Sequence, residues 1–212
     1  DHDGSLYYRT GFGHGDAMHV SDLDPSTADL EGWFVHEETG SAYGFELRNL
    51  RTGKVIFGEK TNSDVGRGLA ADIDAKYPGF ECWSTANGNV YDCKGNVISS
   101  KRPSVNFRIY WDGDLQDELL DGNKLDKWNG NGTTRLFSVY DVEAASSCNS
   151  TKATPCLSAD IFGDWREEMI MWNKNDPSQL NIIATNIESK HRVPTLMHDH
   201  TYRMAIAWQN VA

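Results

Sequence analysis

One short pattern recurs four times along this chain: an acidic turn, followed by a glutamate that opens an apolar run. The copies are Asp22-Leu23-Asp24 leading to Glu31-Gly32-Trp33, and Asp72-Ile73-Asp74 leading to Glu81-Cys82-Trp83. Asp112-Gly113-Asp114 then leads to Glu118-Leu119-Leu120, and Asp160-Ile161-Phe162-Gly163-Asp164 to Glu168-Met169-Ile170. The glutamates stand 50, 37 and 50 residues apart, which is the blade period of a β-propeller. Four such units make an incomplete ring.

Between the repeats the sequence alternates strand, turn and strand. Tyr43 to Leu47, a turn over Asn49 to Lys54, and Val55 to Phe57 form one hairpin pattern. Tyr91 to Ile98 and Trp172 to Ile183 repeat it. No convincing amphipathic helix and no Pro- or Ser-rich linker interrupts them, so residues 1–212 are expected to form one continuous all-β architecture of about four blades. The 19 glycines, 7 tryptophans, 8 tyrosines and 8 phenylalanines suit many short strands joined by turns. With 39% hydrophobic residues in 212, a buried core is available, and a small scaffold held only by disulfides is excluded.

The formal charge of -11, with no basic run, argues against a nucleic-acid partner, because phosphate binding needs a concentrated basic face. No apolar stretch approaches the roughly 18 to 20 residues of a membrane span, so a soluble chain is expected. The polar, turn-like start Asp1-His2-Asp3-Gly4 is neither a signal nor a transit peptide and suggests a piece of something longer.

The four cysteines fall as two close pairs, Cys82 with Cys93 and Cys148 with Cys156, without the two-residue gap of zinc ribbons. Two local disulfides are expected, the first closed across a hairpin turning at Ala86-Asn87-Gly88-Asn89. Asn131-Gly132-Thr133 and Asn149-Ser150-Thr151 are glycosylation sequons. Together with the acidity, these features point to a secreted protein.

Tight turns of Asp and Gly gather carboxylate oxygens on one side, which suits a hard cation with six to eight oxygen ligands, calcium above all. The candidate ligands are Asp22, Asp24 and Glu31; Asp72, Asp74 and Glu81; Asp112, Asp114 and Glu118; and Asp160, Asp164 and Glu168. The last two turns do not align with the first two without a gap. A second acidic and imidazole cluster lies in Gly13-His14-Gly15-Asp16-Ala17 with His36-Glu37, and a third polar cluster holds Arg192, His198, Asp199 and His200. Zinc is conceivable on His14, Asp16 and His36, but the excess of acids, Asp16 and Glu37 among them, favours calcium.

Gly13 to Ala17, Val35-His36-Glu37 and Ala159-Asp160-Ile161-Phe162-Gly163-Asp164-Trp165-Arg166-Glu167-Glu168 are long, specific stretches. Thr151-Lys152-Ala153-Thr154-Pro155, Leu196-Met197-His198-Asp199, and Tyr202-Arg203 through Ala207-Trp208-Gln209-Asn210-Val211-Ala212 add to them. In these stretches the chain resembles the rhamnogalacturonan lyases of polysaccharide lyase family 11, secreted bacterial enzymes that cleave the pectin backbone. The resemblance covers nearly the whole chain. It implies an eight-bladed propeller with several calcium ions, of which this chain is the C-terminal portion of the catalytic domain. The N-terminal blades are absent, and the rest of the natural polypeptide or a companion fragment is expected to supply them; activity of the chain alone is in doubt for that reason.

The resemblance also implies calcium-assisted β-elimination at galacturonate in rhamnogalacturonan I. Arg67, in Val65-Gly66-Arg67-Gly68-Leu69, and Lys152 lie in text matching the family's active-site segments. A lysine can lose its proton when desolvated, so Lys152 suits a base, while a permanently charged arginine suits clamping the uronate carboxylate, the role given to Arg67. His14, His36, Arg192 and His198 are the candidate substrate contacts. The competing expectation is a non-catalytic, calcium-stiffened propeller that binds glycans or protein. A glycoside hydrolase, with paired carboxylates flanking a bond, is a weaker third.

Overall fold

The computed structural model describes residues 3–139 and 144–209; Asp1, His2, residues 140–143, and the Asn210-Val211-Ala212 end of the family-like stretch lie outside the described residues. Four antiparallel sheets of four strands each carry the fold. The first is a meander of β1 (Ala17–Ser21), β2 (Glu31–Val35), β3 (Phe45–Asn49) and β4 (Val55–Glu59). The second follows the same order with β5 (Gly68–Ala71), β6 (Glu81–Ser84), β7 (Val90–Tyr91) and β8 (Val97–Ser99). These two sheets form one compact unit together with residues 130–132.

The second unit, residues 106–129 with the described residues from 133 onward, holds the other two sheets. One is a meander of β9 (Phe107–Ile109), β10 (Glu118–Asp121), β11 (Lys124–Trp128) and β12 (Thr133–Ser138). The other contains β13 (Ala145–Ser146), β14 (Leu157–Ala159), β15 (Glu168–Asn173) and β16 (Leu180–Ile183). β13 and β14 pair with successive parts of β15, so they are two halves of one row, and residues 147–156 are an excursion between them.

Alternation along each strand sends apolar side chains into the core. In the first unit Leu23, Trp33, Val35, Phe45 and Leu47 are fully buried, and the Trp33 ring sits 5.3 Å from that of Phe45. The second unit buries Ile109, Leu120, Leu125, Met169 and Met171. The expected hairpins are present at β3 to β4, β7 to β8 and β15 to β16.

The structure differs from the sequence expectation at the C-terminal side, where a short helix α1 (His200–Trp208) forms. Its N-cap is Asp199, whose carboxylate accepts from Tyr202 N at 2.7 Å. No helix among the described residues is long and apolar enough to cross a membrane. Two side chains tie the helical segment to the fourth sheet. The Tyr202 hydroxyl donates to Glu167 Oε1 at 2.7 Å and accepts from Asp160 N at 2.9 Å. The Gln209 amide pairs with both Ser158 N and Ser158 O, at 2.6 and 2.9 Å, as a neighbouring strand would. Tyr202→Phe should therefore leave a buried donor and a buried acceptor unpaired, lowering stability by about 1–3 kcal/mol. Faster amide exchange confined to α1 and the 160–168 turn would report it; unchanged exchange there would contradict the docking role.

Candidate functional site

Each repeat glutamate opens the second strand of its sheet and turns back onto the acidic turn before it. Glu81 Oε2 accepts from Ile73 N and Asp74 N at 2.9 and 3.0 Å. Glu118 Oε2 accepts from Trp111 N and Asp112 N at 2.8 and 3.1 Å. Glu168 Oε2 accepts from Ile161 N and Phe162 N at 2.8 and 3.0 Å. Glu31 Oε2 takes Asp24 N at 3.1 Å and Glu31 Oε1 the Thr27 hydroxyl at 2.7 Å. All four glutamates are buried, and in each case one carboxylate oxygen serves the backbone of the turn. The donors lie seven and eight residues before Glu81 but six and seven before Glu118 and Glu168. That one-residue difference is the gap that blocked a sequence alignment; in the fourth turn Phe162, not an acid, is the donor where the others have Asp74 and Asp112.

The oxygens left over differ from turn to turn. Glu81 Oε1 is buried with no hydrogen-bond partner among the described residues, beside Asp72 and Asp74. Burial, reinforced by those two acids, pushes Glu81 up to about 8. An orphaned carboxylate oxygen among acids fits a hard cation, so this turn suits calcium. In the third turn Asp112, Asp114 and Glu118 also converge, but Lys127 Nζ lies within 2.9 Å of all three. Burial pushes Glu118 up as well, to about 7, with Lys127 opposing it.

In the first turn Lys94 pairs with Asp24, whose other oxygen accepts from Ser26 N and Oγ, while Asp22 is exposed. In the fourth turn Asp160 Oδ2 accepts from the Thr195 hydroxyl and Leu196 N at 2.7 and 2.8 Å, and Oδ1 from Gly163 N at 2.8 Å. Asp164 is held by Arg166 N and Nη2. In the fourth turn, then, Asp160 docks the 195–196 segment and Asp164 pairs with Arg166 within its own turn.

The histidine cluster forms in part. His14 Nδ1 is 3.1 Å from Glu37 Oε2 and 3.8 Å from Asp16 Oδ1, at the edge of a shallow pocket lined by Gly11, Phe12, Gly13 and Glu38. One nitrogen and two carboxylates gathered at a solvent-facing edge fit a cation. His36 does not join them. It is buried, with Nε2 3.3 Å from Glu46 Oε1, and Arg48 Nη1 reaches the same oxygen at 3.2 Å. His36 thus stands apart from the exposed group of His14, Asp16 and Glu37, its Nδ1 buried beside Gly15 without a hydrogen-bond partner among the described residues. Glu46, on the next strand β3, captures it.

Arg67 borders this cluster. A methyl group placed on Gly66 would stand 3.7 Å from Asp64 Oδ1 and 3.8 Å from Asp16 Oδ2, so both acids face the backbone just before Arg67. Asp64 was missed in the sequence because it belongs to no repeat and no histidine run. The Arg67 carbonyl accepts from Thr85 N and Oγ1 at 2.9 and 3.2 Å, which anchors the segment to the end of β6. Gly68 cannot be replaced easily: a Cβ there would meet Val35 Cγ1 at 2.7 Å and Trp33 Nε1 at 2.9 Å.

Lys152 belongs to the second unit and lies exposed on the 147–156 excursion, at the end of a 3₁₀ turn over Ser150–Lys152. Asn149, Ser150 and Ala153 all have φ between 49° and 60°, a left-handed conformation costing side-chain-bearing residues about 1–3 kcal/mol each. The excursion is closed at its base by Cys148 N to Thr154 O at 2.7 Å and Thr154 N to Cys148 O at 3.1 Å. Arg192 and His198 are exposed on the segment that follows β16, in the same unit. All four cysteines are free thiols in the structure. Cys148 and Cys156 approach to 3.8 Å between sulfurs at the mouth of the Lys152 excursion. Cys82 pairs across the strands with Tyr91, not with Cys93, whose thiol donates to Pro78 O at 3.2 Å.

Glutamate-latched acidic turns at the entrance of successive antiparallel sheets, with an arginine and a lysine presented on loops, define an all-β repeat domain of an acidic protein, some of whose acidic groups could hold a cation. The chain belongs to a known family: it matches the rhamnogalacturonan lyase family 11 C-terminal domain over residues 1–212. It is 51% identical to the rhamnogalacturonan endolyase YesW of Bacillus subtilis (strain 168) and 46% identical to the rhamnogalacturonan exolyase YesX of the same strain. Both alignments cover 100% of this chain but only 34% and 37% of those relatives, so the chain spans about a third of their length. The solved structure of a Bacillus licheniformis rhamnogalacturonan lyase superposes with a TM-score of 0.94 at 51% identity, covering 100% of this chain and 36% of that one.

Proposed function

We propose that this chain is the C-terminal portion of the catalytic β-propeller of a secreted rhamnogalacturonan lyase. Its four sheets are four blades of an eight-bladed ring, and the rest of the polypeptide supplies the others. The substrate is the rhamnogalacturonan I backbone of pectin, cleaved by β-elimination at galacturonate. The observation that supports this best is kinship along the whole chain, at 51% and 46% identity, with enzymes named as an endolyase and an exolyase.

In the reaction a base takes the proton from C5 of galacturonate. The electrons of that C–H bond become the C4–C5 double bond, the C4–O bond breaks, and the departing oxygen is protonated. The barrier lies in removing a proton beside a carboxylate that is already negative, so positive groups must meet the charge as it develops. Lys152, held out by three left-handed residues, is the base. Arg67, always charged and bearing a planar donor fork, grips the uronate carboxylate. His14, Arg192 and His198 are the candidate substrate contacts, the last two exposed.

Asp16 and Glu37 with His14, and Asp72 and Asp74 with Glu81, are the residues that would hold calcium. Bound there, calcium supplies electrostatic neutralisation between a protein of charge -11 and an acidic polymer, and stiffens the turns. In a chelator the melting temperature should fall and calcium should restore it; an unchanged melting curve would remove calcium from this account.

The deciding experiment incubates the whole enzyme with defined rhamnogalacturonan backbone, with and without calcium. An unsaturated product absorbing in the ultraviolet is expected. Saturated ends would indicate a hydrolase, and binding without cleavage a non-catalytic propeller. Secretion adds a separate expectation: Cys148 and Cys156, already adjacent, oxidise outside the cell and clamp the base of the Lys152 excursion. Thiol titration of this domain, unfolded without reductant, should count two thiols, those of Cys82 and Cys93; four would argue against an oxidising compartment.

A further inference from the structure

The four acidic turns share a scaffold but not an occupant, and in the third turn the residue facing the glutamate supplies it. Asn49 pairs across the strands with Glu31. Continuing the strand registers by one residue sets Asp92 opposite Glu81, Lys127 opposite Glu118 and Ala184 opposite Glu168. Of these four residues only Lys127 is a cation. It stands on β11 and reaches back over the turn, with Nζ 2.5 Å from Asp112 Oδ2, 2.6 Å from Asp114 Oδ2 and 2.9 Å from Glu118 Oε1.

An ammonium has three N–H donors, and here each finds a carboxylate. The remaining oxygens are used within the turn: Asp112 Oδ1 accepts from Asp114 N, Asp114 Oδ1 from Gln116 N, and Glu118 Oε2 from the backbone. A calcium ion needs oxygens at roughly 2.3–2.6 Å on several sides, so it would have to occupy the space that Nζ fills. The second turn is the internal contrast. Its facing residue, Asp92, turns away to cap its own hairpin through Lys94 N and Asn96 N, and Glu81 Oε1 stays buried without a partner.

We infer that Lys127 is the resident cation of the third acidic turn, occupying the place of a divalent ion, so that this turn is held together without calcium. The inference rests on the calcium reading of the other turns for its contrast, and the test separates the two. Calcium bound per chain is counted in the whole protein after equilibration with calcium buffer.

Asp114→Asn should leave the count unchanged, and Lys127→Met should raise it by one ion. In chelator Lys127→Met should melt below the wild type, and calcium should close the gap. Loss of one ion in Asp114→Asn overturns the inference, as does a folded Lys127→Met that gains none. Should Lys127→Met fail to fold, Asp114→Asn decides alone. Glu81→Gln should lose one ion; no loss there strikes the calcium reading of the second turn and leaves Lys127 untouched.

Discussion

Lys152→Met in the whole enzyme should abolish formation of the unsaturated product, lowering kcat by about 10²- to 10⁴-fold, the usual contribution of a positioned general base. Methionine keeps the length and apolar stem of the side chain but offers no group that can take the C5 proton. Polymer binding should survive, because Arg67 and the acids proposed to hold calcium remain in place. KM should accordingly change far less than kcat. The excursion carries its strain at Asn149, Ser150 and Ala153 and closes through backbone hydrogen bonds, none of which involves the Lys152 side chain. Loss of activity in a variant with unchanged melting temperature would therefore report chemistry. Near-normal turnover would take Lys152 out of the mechanism and leave its loop as a structural feature.

The second large effect concerns the glutamate latch. Glu168→Ala should strip the partner from Ile161 N and Phe162 N together, with an orphaned donor costing about 1–3 kcal/mol. The turn also carries the Asp160 contacts that hold residues 195 and 196, so its loosening should spread to α1. A melting midpoint lower by roughly 5–15 °C is expected. Glu168→Gln is the informative companion, because its amide oxygen can still accept both N–H groups. Burial already raises the Glu168 pKa, so losing the charge should matter little. Glutamine near wild-type stability beside a strongly destabilised alanine would establish the latch. Equal damage in both, relieved by calcium, would make Glu168 a metal ligand after all.

The repeat was legible because it is local chemistry. A glutamate six to eight residues after an acidic turn, at the head of a strand, meets the turn's own N–H groups wherever the sheet lies. Hence Glu31, Glu81, Glu118 and Glu168 mark the second strand of each sheet, and the hairpins fall between them as expected. The helix at residues 200–208 escaped notice because its apolar face is weak and its position depends on Tyr202 and Gln209 reaching distant residues. His36 shows a related effect: beside Glu37 it resembles a surface ligand, yet just past the end of β2 it turns inward onto Glu46.

Local order, then, was decided by the chain's own alternation and turn residues: all-β, four repeats, a glutamate at each strand entrance, and a candidate arginine and lysine on loops. Which carboxylates keep an oxygen available for an ion was decided only by tertiary contacts. Lys127, Lys94, Thr195 and Arg166 satisfy three of the turns, while Glu81 Oε1 has no hydrogen-bond partner among the described residues. The physical reason is that secondary structure follows from neighbours in sequence, whereas the free energy of a buried charge is set by whatever partner the fold brings against it.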